Sequence, residues 1–74
     1  MIKELDRVVV AKDLPGDHLV AGDIGTVVMV RGGGTGYEVE FMTLTGETLA
    51  VVTIDAAAIR AIAPREIAHV REVA

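Results

Sequence analysis

The segment Tyr37-Glu38-Val39-Glu40-Phe41 alternates apolar and acidic residues strictly, directly after Gly32-Gly33-Gly34-Thr35-Gly36. Period-two alternation is the signature of a strand with one face buried, so Tyr37, Val39 and Phe41 are expected inward and Glu38 and Glu40 outward. Four glycines in five residues lose too much backbone entropy to sit in a regular element, so the chain must reverse there. A hairpin is therefore fixed before anything else. Its other arm is Ile24 to Arg31, a β-branched run interrupted by Gly25, where a bulge, a bend or a close backbone approach is expected.

Further strands emerge from the same reading. Val8-Val9-Val10, within Leu5 to Lys12, predicts the first strand, and Asp13 to His18 reads as a loop rich in Pro, Gly and Asp. Thr45-Gly46 makes a turn, and Thr48 to Ile54 supplies the fourth strand. Pairing Phe41 with Ala50 and Val39 with Val52 directs Ala50, Val52 and Ile54 inward. Asp55-Ala56-Ala57-Ala58-Ile59-Arg60 reads as an Asp cap and one helical turn. Beyond Pro64 the tail is ambiguous. Ile67, Val70 and Val73 suit a helix, but closing a barrel needs a strand, and a strand is the expectation for Glu66 to Val73.

Seventy-four residues allow one domain, spanning 1–74. With 51% hydrophobic residues and a mean hydropathy of +0.48, the chain collapses, and with one Tyr, one Phe and no Trp its core is aliphatic. Short strands, frequent turns and one helical turn predict an all-β fold: a small SH3-like antiparallel barrel of five or six strands, with the helical turn near residues 55–60. An open sheet covered by a carboxy-terminal helix is the rival. The start is charged from Lys3 and has no long apolar run, so neither a signal peptide nor a membrane span is expected, and the cytoplasm is the expected compartment.

The chemistry-bearing residues are few. Ser and Cys are absent, which removes the usual nucleophiles, disulfides and thiolate metal sites. His18 beside Asp17, with Asp13 and Asp23 nearby, could offer a weak cation site, and His69 reads as a surface or half-buried imidazole. Glu38 and Glu40 could formally pair as acid and base, yet flat solvated strands carry such pairs routinely. The glycine turn lacks the helix that phosphate-cradling loops require. No enzyme, cofactor or metal is expected. A net charge of −4 disfavours nucleic acid and suits cationic partners.

What remains is an apolar surplus. The register places Met42, Leu49 and Val51 on the outer face, and with Val28 and Val30 taken as inward, Val27 and Met29 join them. Val27, Met29, Met42, Leu49 and Val51 are thus the candidate partner-binding residues, for a protein partner or a second copy. In the competing arrangement the tail folds back over this face, with Ile67, Val70 and Val73 as its lid.

Gly22-Asp23-Ile24-Gly25-Thr26-Val27-Val28-Met29-Val30 resembles the G-x-x-G-x-V-x-x-V turn and strand of SH3-like and KOW-type barrels. More widely, Glu4 to Val9, Asp13-Leu14-Pro15, Gly22 to Val30, Tyr37 to Phe41, Gly46-Glu47-Thr48 and Val52-Thr53-Ile54 resemble the small bacterial proteins grouped as domain of unknown function 4926. That resemblance implies a small antiparallel barrel in a bacterial cytoplasm without an assigned activity. It also implies the companion half of a two-gene module, as antitoxins and immunity proteins are. The expected function is a non-enzymatic protein-binding or self-associating module. The KOW likeness gives the alternative, an RNA or ribosome contact for which Arg31, Arg60, Arg65 and Arg71 would have to share one face.

Overall fold

The computed structural model describes residues 1–73. Five antiparallel strands form one sheet: β1 (Arg7–Val10), β2 (Ile24–Arg31), β3 (Gly36–Met42), β4 (Thr48–Asp55) and β5 (Ile59–Ala61), in the order β4-β3-β2-β1-β5. Single 3-10 turns at Pro15–Asp17 and Ala56–Ala58 are the only helical pieces among the described residues.

Every strand contributes to a single apolar cluster: Val8 and Val10 from β1, Val27 from β2, Tyr37, Val39 and Phe41 from β3, Ile54 from β4 and Ile59 from β5. Edge strands can share a core with central ones only if the sheet curls around it, which gives the barrel-like shape. No ladder joins β4 to β5 among the described residues, and the Ala56–Ala58 turn bridges the gap between them. Full burial of each valine contributes about 1.5–3 kcal/mol, and the two aromatics, Tyr37 and Phe41, are both in this otherwise aliphatic core.

The β3–β4 register is the expected one, with Phe41 opposite Ala50 and Val39 opposite Val52. Tyr37, Val39 and Phe41 are all buried. Gly25 marks a close approach: a Cβ there would meet Val39 Cγ1, the Glu40 carbonyl and Phe41 Cε1 within 3 Å.

Three expectations need correction. Val27 is fully buried rather than outward, because a bulge between Val27 and Met29 inserts Val28 and reverses the facing of the residues after it. Val28 is consequently exposed, and Val30 packs against the core from a half-buried position. The last strand is not in the tail. β1 offers two sides for pairing, β2 takes one and the three-residue β5 takes the other, directly after the 3-10 turn. Residues 62–73 then run without strand or helix. Asp55 flanks the 3-10 turn but makes no side-chain cap bond.

Candidate functional site

A groove of about 920 Å³ opens between the β3–β4 hairpin and the tail. Met42, Leu44 and Leu49 line it from the hairpin, and Val70 and Val73 from the tail. The hairpin tip is fixed locally: Glu47 N–H donates to Thr43 Oγ1 at 2.9 Å, Thr43 N–H donates to the Glu47 carbonyl at 2.8 Å, and Gly46 takes the positive φ the turn requires. Leu44 therefore projects from a rigid turn with 89% of its surface exposed.

The tail is held by charge rather than by a lid of apolar residues. Arg71 donates from Nε and Nη2 to both carboxylate oxygens of Asp23, each at 2.7 Å, and from Nη2 to the His18 carbonyl at 3.2 Å. Arg60 donates to both oxygens of Glu66 at 2.8 and 2.6 Å, and Ala63 N–H adds a third bond at 2.7 Å. Burial pushes the Asp23 carboxyl up, but the Arg71 hydrogen bonds, the Val20 N–H and the Arg71 charge together hold it below its ordinary value. Glu66 is held down at about 2, first by the Arg60 hydrogen bonds and then by the Ala63 N–H.

Between these clamps the apolar tail side chains face solvent: Ile67 is 93% and Val70 71% exposed. Ile67 and Val70 therefore do not form the expected lid, and Val73, 41% exposed, borders the groove without closing it. Met42, Leu49 and Val51 remain 49%, 46% and 54% exposed. On the far side of the tail a smaller hollow of about 330 Å³ lies over β1, lined by Val9, Arg60, Glu66 and Ile67.

Of the five expected docking residues, Met42 and Leu49 meet in the groove, and Val51 lies two positions along β4 from Leu49. Met29 is set apart, since its β3 neighbour is Glu38, whose own β4 partner is Thr53. Val27 is in the core. Leu44 was missed by sequence reasoning, whereas Val70 and Val73 were named as neighbours of this face and do border the groove; the Asp23–Arg71 pair that positions the tail was not foreseen.

The other candidate groups have local duties. Asp13 accepts the Ala21 N–H at 2.9 Å and Asp23 the Val20 N–H at 2.9 Å, both shaping the loop before β2. Among the described residues no three His, Asp or Glu side chains converge as a metal cage would need. Glu38 pairs with Arg31, and Glu40 accepts the Thr48 hydroxyl at 2.8 Å. Neither glutamate lines either groove.

No curated protein and no solved structure matches the chain. A family model does, over residues 4–61, a span that begins just before β1 and ends at the last residue of β5. The tail that completes the groove lies beyond that span. With the whole sheet inside the match, the chain belongs to the family described as Domain of unknown function (DUF4926).

Proposed function

We propose that this protein is a non-enzymatic docking module that binds a protein partner through the outer surface formed by Met42, Leu44, Leu49 and Val51. The observation that carries the reading is the exposure of these side chains beside a groove that the chain's own tail borders but does not fill. Exposed contiguous apolar surface on a small domain is costly unless something uses it, and methionine and leucine on a rigid hairpin suit adaptable contact. The companion role implied by the family resemblance makes the product of a neighbouring gene the first bait to try.

The arginines favour protein over RNA. Of Arg31, Arg60, Arg65 and Arg71, three are each engaged by a carboxylate, Arg31 by Glu38, Arg60 by Glu66 and Arg71 by Asp23, which offsets the charge a phosphate backbone would need. The test compares the wild-type chain with the double variant Met42→Glu, Leu49→Glu in size-exclusion light scattering and in co-purification with the neighbouring gene product. Association lost in the double variant supports the reading. A wild-type chain that stays monomeric and alone, or a double variant that associates as well as wild type, overturns it.

A further inference from the structure

The two edges of the sheet are treated differently. β5 is protected: it is three residues long, its Arg60 side chain is bound to Glu66 alongside, and Pro64 comes shortly after. β4 is not. It runs eight residues as Thr-Leu-Ala-Val-Val-Thr-Ile-Asp, with no Pro, Lys or Arg and no charge before its last residue. A long, uncharged edge of this kind is a template for another strand.

The groups it offers can be worked out. Ala56 N–H donates to the Thr35 carbonyl at 3.0 Å, in register with Tyr37 opposite Ile54 and Val39 opposite Val52. Antiparallel ladders alternate bonded and non-bonded pairs, so Ile54 and Val52 turn their N–H and C=O toward β3. Val51, Thr53 and Asp55 therefore turn theirs to the open edge. Among the described residues no backbone hydrogen bond from outside the ladder reaches these three.

Charge selects the occupant. Glu47 stands just before β4 and Asp55 ends it, and neither carboxylate belongs to an ion pair among the described residues, unlike Glu38, Glu66 and Asp23. A second copy pairing about Val51 would set each Glu47 against the other chain's Asp55, and each chain carries −4. Building on the docking reading, we infer that β4 accepts an extended peptide segment with apolar residues at alternate positions and a Lys or Arg at each end, added as a sixth, antiparallel strand. A span of about nine residues reaches from Glu47 to Asp55.

The probe is the synthetic peptide Lys-Thr-Val-Thr-Val-Thr-Val-Thr-Lys, whose valines fall beside Leu49, Val51 and Thr53 on the outer face, titrated into the isotope-labelled full chain and followed by amide shifts and hydrogen exchange. Saturable binding that slows exchange at the Val51 and Thr53 amides is expected, with at least tenfold weaker binding of the same peptide carrying Glu at both ends. Val51→Pro removes an edge donor without removing a β3 bond, and Val51→Lys adds a repelling charge on an exposed side chain; each is expected to weaken binding at least tenfold. The Val51→Lys variant keeps the test decisive if the proline variant misfolds. Equal binding of the two peptides, or binding indifferent to Val51→Lys, overturns the inference. So does concentration-dependent protection of Val51 and Thr53 without peptide, which assigns the edge to a second copy. Should the peptide fail while the Met42→Glu, Leu49→Glu variant still loses its partner, the edge inference falls and the docking reading stands.

Discussion

Asp23 and Arg71, 48 positions apart in sequence, are joined by two parallel hydrogen bonds of 2.7 Å, the longest-range link between two side chains among the described residues. This fork fastens a tail without secondary structure to the loop preceding β2, and it shapes the groove from one side. Bidentate arginine–carboxylate geometry makes it directional, so losing one partner changes where the tail lies more than how stable the sheet is. Arg71→Ala is expected to raise amide exchange across residues 67–73 with the melting temperature nearly unchanged. A large drop in melting temperature would mean that the tail belongs to the folding core.

Acid should release the tail in a defined window. Asp23 and Glu66 both ionise more readily folded than unfolded, so each adds stability that is complete above its unfolded pKa and is lost as pH falls through the folded one. For Glu66 that window runs from the ordinary value of 4.5 down to about 2, and the Asp23 window runs from 3.8 downward. A pH titration read by the amide shifts of residues 66–73 should show a docked tail at neutral pH and a released one in strong acid. Release above pH 5 would contradict the two clamps.

The bulge in β2 makes opposite predictions for residues that period-two alternation treats alike. Val27→Ala should cost about 2 kcal/mol, from two lost methyl groups plus the cavity they leave. Met29→Ala, at a 44% exposed position, should fall within about 0.5 kcal/mol of wild type. Urea denaturation with unchanged m-values checks both. Equal costs would put the bulge in the wrong place.

These contrasts show where sequence reasoning reaches its limit. The β3–β4 register was legible because Tyr37, Val39 and Phe41 alternate with acidic residues and so can face only one way. In Val27-Val28-Met29-Val30 every residue is apolar, nothing in the string marks which one is skipped, and one inserted residue reverses the facing of the rest. β5 hid because three residues after Ala56-Ala57-Ala58 carry little pattern, and strand pairing with β1 decided their state. Met42 and Leu49 are exposed as expected, although the ladder shifts after Phe41 and sets Met42 opposite Thr48. The tail's position was not legible, because it depends on ion pairs whose partners are distant in sequence or, for Arg60 and Glu66, straddle a proline turn.

Gly25 tests the close contact between β2 and β3. Gly25→Ala forces a methyl group against the Glu40 carbonyl and the Val39 and Phe41 side chains, and it should destabilise by about 1–3 kcal/mol through overpacking. Gly16→Ala, with open space around it and no positive φ, should be close to neutral. Thermal denaturation of the pair gives the comparison directly, and a neutral Gly25→Ala would contradict the packing described.

The central claim is that Met42 and Leu49 stand open in the isolated chain and close only against a partner. The direct measurement is paramagnetic solvent relaxation of their methyl groups, in dilute monomer and with the neighbouring gene product added. Strong relaxation alone and shielding in the mixture is the expected result. Methyl groups already shielded in the monomer, and re-exposed when the tail beyond Ile62 is removed, would contradict it.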